Sequence, residues 1–134
     1  MNCEPATIYV VDDDAAVRSA FDVLLSYAGW KVLTFESAEA VLEFAPGPPP
    51  DLILLDLHLL GMNGVELLAA LRSRGFVAPA VFITGYGDHP LVQRAHESDA
   101  VGVFGKPVRG TELLPLVDDI IRGRYAPVPE SGGA

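Results

Sequence analysis

Short apolar runs and helical stripes alternate along this chain from end to end. Residues 8–11 (IYVV) form an apolar run closed by three acids, the length of a strand buried on both faces. Val17, Phe21, Leu24, Leu25 and Ala28 then recur at helical spacing on one stripe, and Gly29 is a usual residue just past a helix end. Lys31–Phe35 reads as a second strand, followed by Ser37 as N-cap of a short helix with Ala38, Val41, Leu42 and Ala45 on one face. The prolines of PGPPP at 46–50 cannot extend that helix. Leu52–Leu55 is the third strand, Val65–Arg72 the next helix, and Ala80–Thr84 the fourth strand. The loop GYGDHP leads into a weakly amphipathic helix near 89–98, and Val101–Phe104 is the fifth strand. Leu113, Leu116, Val117, Ile120 and Ile121 mark the last helix, with Pro115 expected in its first turn.

Five strands alternating with five helices predict an α/β fold. Right-handed crossovers then give a parallel sheet with helices on both faces. Residues 1–6 read as an N-terminal extension, 7–122 as one domain, and 123–134 as a polar tail with Gly and Pro. Ligands of such folds gather beyond the carboxyl ends of the strands. Asp12 and Asp13, Asp56, Thr84 and Lys106 all fall at the ends of apolar runs assigned to strands. The pattern therefore predicts one shared site at one edge of the sheet.

Composition narrows the functional classes. The chain has 134 residues, 50% of them hydrophobic and 20% charged, enough for one domain with its own core. The apolar runs are far shorter than the roughly 18 to 20 residues that cross a bilayer. MNCEPAT has neither the basic nor the apolar region of a secretory signal, so a cytoplasmic location is expected. Cys3 is the single cysteine and cannot form an internal disulfide. A net charge of −9, with only Lys31 and Lys106 as lysines, lacks the basic footprint that direct nucleic-acid binding needs.

The acids carry the chemistry. Carboxylates converging within roughly 5 Å repel by about 3 kcal/mol per pair at an effective dielectric near 20. A cation or raised carboxyl pKa values must relieve that. Oxygen-only ligands favour Mg²⁺, which keeps waters and takes phosphate partners. An aspartate at a strand end can also serve as nucleophile toward a phosphoryl group, whose charge a lysine and a hydroxyl then meet. Each residue alone has a plainer explanation: Asp56 a turn residue, Thr84 a strand residue, Lys106 a surface charge. Asp14 reads most simply as a helix-start acid. Their joint placement at one edge is what independent plain causes rarely produce.

VVDDD (10–14), LLDLHLLGMNG (54–64), FITGYGD (82–88) and FGKP (104–107), in that order, resemble the response-regulator receiver domain, the CheY-like phosphoacceptor of two-component signalling. The likeness spans residues 7 to 122, and ITGYGD resembles the FixJ-like subgroup in particular. It implies a doubly wound, flavodoxin-like sheet of strand order 2-1-3-4-5. It implies that a histidine kinase phosphorylates Asp56, while Asp12, Asp13, Asp56 and the backbone carbonyl of His58 hold Mg²⁺ or Mn²⁺. Thr84 and Lys106 would contact the phosphoryl group, and the Lys106–Pro107 bond would be cis. Output would pass through a protein partner, or a self-dimer, at the face of helix 4, strand 5 and helix 5.

Several positions depart from the family pattern. Leu59-Leu60 stand where Met-Pro is usual, and Ser98-Asp99-Ala100 where Ala-Gly-Ala is frequent. Asp99 is expected to tolerate a left-handed backbone at modest cost. The switch aromatic usually sits three residues before the lysine, which here is Val103, with Phe104 one residue later. A one-residue offset sends a strand side chain to the opposite face, so the Thr–aromatic switch is expected to be altered or absent. His58 and Tyr86 occupy variable positions flanking the phosphoryl group and are expected to tune its lifetime.

Three rivals remain in view. A haloacid-dehalogenase-type phosphatase wants a second acid two residues after the nucleophile, where this chain has His58. A flavodoxin would cradle a phosphate in its first loop, which Asp12–Asp14 would repel. A degenerate receiver acting only as a docking module is opposed by the intact Asp56, Thr84 and Lys106. FixJ-like proteins usually append a DNA-binding domain, and 28 residues after Lys106 are compatible with a stand-alone receiver or with a piece of a longer regulator.

Overall fold

A computed structural model describes residues 5–44, 49–85, 90–106 and 108–123. The expectations for Ala45, Tyr86, Pro107, Cys3 and the tail beyond Gly123 lie outside those residues. Strands and helices alternate: β1 (Thr7–Val11), α1 (Ala15–Tyr27), β2 (Lys31–Phe35), α2 (Ala38–Phe44), β3 (Leu52–Asp56), α3 (Gly64–Ser73), β4 (Ala80–Thr84), α4 (Pro90–His96), β5 (Gly102–Gly105) and α5 (Gly110–Ile121). All strand pairs are parallel, in the order β2-β1-β3-β4-β5. That is the doubly wound α/β architecture the sequence implied.

The sheet divides the core by the period-2 alternation of its strands. Ile8, Val10, Leu52, Leu54, Val81 and Ile83 pack with Phe21 and Leu25 of α1 and Leu113, Val117 and Ile120 of α5. Tyr9, Val11, Ile53, Leu55, Ala80 and Phe82 pack with α2, α3 and Ala95 of α4. Every residue of β3 and β4 is buried, as central strands covered on both faces should be. Truncating one such residue, for example Leu54→Ala, costs about 2–5 kcal/mol through lost burial and the cavity left behind. Under α2, Tyr9 meets Phe35 at a ring-centroid distance of 5.0 Å and Phe44 at 5.9 Å, in tilted and edge-on geometries that suit aromatic quadrupoles.

The helix starts follow their capping residues. Asp14 accepts the N–H groups of Ala16 and Val17 and so caps α1, while Ser37 accepts the N–H of Ala40 ahead of α2. Asn63 and Glu66 form a reciprocal capping box on α3. Gly29, at φ +102°, turns the chain out of α1 in a region that costs a side-chain-bearing residue dearly.

Some boundaries differ from the sequence expectation. β5 begins at Gly102, one residue late, and α4 spans only Pro90–His96. α5 begins at Gly110, which puts Pro115 in its second turn instead of its first. The missing N–H then deprives the Thr111 carbonyl of its helical donor, on a flank where both residues are exposed. Asp99 is not left-handed: among the described residues only glycines have positive φ. Asp99 instead accepts the Arg72 guanidinium at 3.0 Å, while Arg72 also donates to the carbonyls of Phe76 and Ala78.

Candidate functional site

Asp12 directly follows β1 and Asp56 closes β3, adjacent strands whose register aligns Val11 with Leu55. β4 ends in Thr84, and Lys106 follows β5, its N–H bonded to the Thr84 carbonyl at 2.7 Å. The topology therefore delivers two carboxylates, a hydroxyl and an ammonium to one edge, as the sequence predicted. Asp12, Asp56 and Thr84 are the buried polar residues among those described, at 2%, 6% and 2% exposure, whereas Asp13 is exposed.

Carboxylate oxygens of Asp12, Asp13 and Asp56 all lie within 4.8 Å of one another. The Lys106 ammonium stands 3.0 Å from Asp12 and 3.3 Å from Asp56. The remaining oxygens are also engaged: Asp12 Oδ1 accepts the Asp14 N–H at 2.9 Å and Asp56 Oδ1 accepts the His58 N–H at 3.1 Å. A cavity of about 460 Å³ opens over this cluster, lined by Asp12, Asp13, Asp14, Asp56, His58 and Lys106 among others. It is large enough for a hydrated cation together with a phosphoryl group.

Charge balance sets the direction of each pKa. Burial is the main force pushing the Asp12 carboxyl above the usual aspartate range; the Asp14 N–H and Lys106 pull it back, and the charge of Asp56 adds to the rise. Burial works to lower the Lys106 pKa, but hydrogen bonds and charges from Asp12 and Asp56 outweigh it, and the net direction is upward. Lys106 is thus a firmly held cation in a site with more acid than one ammonium neutralises. Three hard oxygen donors in this spacing fit a small divalent cation such as Mg²⁺.

The other sequence candidates are distributed as follows. His58 is half-buried at the cavity wall. Leu59 is buried at 7% exposure, whereas Leu60, in the usual proline position, is 79% exposed. Val103 packs on the face of α2, α3 and α4, and Phe104 packs on the opposite face with α1 and α5. The Phe104 ring lies over Gly102, where an added Cβ would stand 2.9 Å from the ring edge. No described helix is long and apolar enough to cross a membrane.

Two residues escaped the sequence reading. Gly64 opens α3 so close to β3 that a Cβ would lie 2.5 Å from the Asp56 carbonyl oxygen. Arg18 donates from Nη1 to the Asp12 carbonyl at 2.6 Å. The Asn-Gly pair at the start of α3 was a turn signal for the first, and an arginine four residues after Asp14 a signal for the second.

A Response regulator receiver domain model matches residues 8–118. The chain is 36% identical over 115 residues to the Transcriptional regulatory protein FixJ of Bradyrhizobium diazoefficiens, covering 86% of this chain and 56% of that protein. It is 34% identical over 113 residues to the Transcriptional regulatory protein TdiR of Thauera aromatica, covering 84% of this chain and 50% of that protein. The crystal structure of FixJ-N superposes with a TM-score of 0.80 at 32% identity, covering 94% of this chain and 99% of that one. A CheY-like receiver domain protein from Methanospirillum hungatei JF-1 gives 0.81 at 26% identity, covering 90% and 96%. A doubly wound sheet with an acidic cluster and a lysine at its carboxyl edge is the architecture of a phosphoacceptor signalling domain. The chain belongs to the response-regulator receiver family of two-component systems. It spans about half the length of the curated relatives it matches.

Proposed function

We propose that this domain accepts a phosphoryl group from a histidine kinase onto Asp56 and signals through the resulting change at the sheet edge. The observation that carries this reading is the Asp56 carboxylate at the end of a central strand, facing a cavity shared with Asp12, Asp13 and Lys106. In the transfer, a carboxylate oxygen of Asp56 bonds to phosphorus as the bond from phosphorus to the donor imidazole nitrogen breaks. The leaving nitrogen keeps the electron pair. Lys106 meets one phosphoryl oxygen and the Thr84 hydroxyl another.

Asp12, Asp13, Asp56 and the His58 backbone carbonyl would hold Mg²⁺ or Mn²⁺, which when bound offsets charge on the transferring group. His58 and Tyr86 tune the lifetime of the product. The domain is a signalling device and not a turnover enzyme: it promotes only its own phosphorylation and the hydrolysis that ends it. Output goes to a protein partner, or to a second copy, through the face of α4, β5 and α5. The net charge of −9 disfavours direct nucleic-acid binding by this segment, and the expected location is the cytoplasm.

A second reading rests on the placement of Val103 and Phe104. With the aromatic on the α1 and α5 face, the usual Thr–aromatic relay is altered, so the domain docks a partner with little dependence on phosphorylation. Incubation with Mg²⁺ and a small phosphodonor separates the two. One added phosphoryl group by intact mass, absent in Asp56→Asn and with a chelator, supports the first. No gain with several donors supports the second. If deleting the His58 and Tyr86 side chains leaves the dephosphorylation rate unchanged, their tuning role is wrong.

A further inference from the structure

Asp12 is held at four points. Its N–H donates to the Phe35 carbonyl at 3.1 Å, and its two carboxylate oxygens accept from the Asp14 N–H and the Lys106 ammonium. The fourth hold is the Arg18 guanidinium on its carbonyl, the shortest of the set at 2.6 Å. Arg18 is rooted in the first turn of α1, its own N–H bonded to the Asp14 carbonyl at 3.0 Å, and its side chain folds back to the strand end. The turn from β1 into α1 is thus closed across its mouth by one side chain.

The carbonyl of Asp12 and the N–H of Asp13 belong to the same planar peptide. Fixing that oxygen fixes the plane, and with it the direction in which the Asp13 Cα leaves the strand. Asp13 is exposed, yet its carboxylate shares the 4.8 Å cluster with Asp12 and Asp56. We infer that Arg18 is a positioning residue that sets the mutual placement of the Asp12 and Asp13 carboxylates for a small divalent cation. It touches neither the cation nor the phosphoryl group. Its contact is with the backbone carbonyl of Asp12, so its action runs through backbone geometry. A rigid carboxylate pair suits the small, geometrically demanding Mg²⁺, whereas Ca²⁺ tolerates looser arrangements.

The inference rests on the metal reading of the site proposed above, and calorimetric titration separates the two. Mg²⁺ and Ca²⁺ are titrated into metal-free wild type, Arg18→Ala and Arg18→Lys, with urea unfolding in chelator alongside. Arg18→Ala is expected to bind Mg²⁺ about tenfold more weakly, with a smaller loss for Ca²⁺. Arg18→Lys, retaining a donor, recovers part of the Mg²⁺ affinity. A merely structural role would shift the urea midpoint and leave the preference for Mg²⁺ over Ca²⁺ unmoved; that result overturns the inference. If Arg18→Ala fails to fold, Arg18→Lys carries the test, since unchanged Mg²⁺ affinity and preference there also overturn it. Wild type that binds no Mg²⁺ sinks the metal reading itself.

Discussion

The Lys106 ammonium lies 3.0 Å from Oδ2 of Asp12 and neutralises part of the negative charge that a divalent cation would also meet. Lysine and metal therefore compete for the same negative field while cooperating on any phosphoryl group. Lys106→Met is expected to tighten Mg²⁺ binding about tenfold, the order of one unit charge removed some 5 Å from a divalent ion in a largely solvated cavity. The same substitution should lower stability in chelator by about 1–3 kcal/mol, because two buried carboxylates lose a charged partner. Titration calorimetry and urea unfolding check both directions, and weaker Mg²⁺ binding in the variant would refute the competition.

Acidification should weaken Mg²⁺ binding earlier than an ordinary aspartate site allows. A carboxyl whose folded pKa is raised holds its proton to higher pH, so metal must displace that proton across the window above the ordinary aspartate range. The sign for stability follows: in chelator, ionising Asp12 costs the folded state, and that cost accrues as pH rises through the raised pKa. Mg²⁺ should therefore raise the melting temperature more near neutrality than near pH 4. Equal melting shifts at the two pH values would count against this.

Gly64→Ala should be costly although the position begins a helix. The new Cβ would stand 2.5 Å from the Asp56 carbonyl oxygen and 3.0 Å from Leu57 Cα, both backbone atoms that cannot swing aside. A loss of about 2–3 kcal/mol is expected, with slower phosphorylation as Asp56 shifts. Gly85→Ala, where a Cβ meets nothing within 4 Å, is the control and should change stability by less than about 0.5 kcal/mol. Similar urea midpoints for the two variants would dispose of the argument.

Arg72 and Asp99 share an ion pair but should not be equivalent under mutation. Asp99 is largely exposed, so Asp99→Ala should cost under about 1 kcal/mol and lose its effect in high salt. Arg72 also caps the carbonyls of Phe76 and Ala78, so Arg72→Met should cost about 2–3 kcal/mol at any ionic strength. Chemical unfolding at low and high salt distinguishes the two contributions.

The sheet and most of the site are legible in the sequence because each rests on a local signal. Buried strands declare themselves as apolar runs, and the chain rules for alternating elements bring their ends together. β5 was displaced by one residue because Gly102 and Gly105 carry no hydrophobic signal, although Gly102 leaves the space that the Phe104 ring covers. The early start of α5 was hidden for a similar reason: Gly110 is a weak helix former, yet a Cβ there would meet Leu24 of α1 at 3.1 Å. Arg18 and Gly64 act through backbone atoms brought close by tertiary packing. Spacing alone does not display such contacts. Asp99 misled because its conformational tolerance was visible and its partner, 27 positions away, was not.

Asp56, the carboxylates of Asp12 and Asp13, and the Lys106 ammonium come from the ends of separate strands, with Asp56 and Lys106 fifty positions apart in the chain. No stretch of unfolded or misregistered polypeptide can reproduce that meeting point. Capacity to take phosphate is therefore a certificate of nativeness: a chain that is phosphorylated has already paired β1, β3, β4 and β5 correctly. Core substitutions far from Asp56 will then dim the signal by thinning the population able to receive it, leaving the chemistry of each competent molecule unchanged.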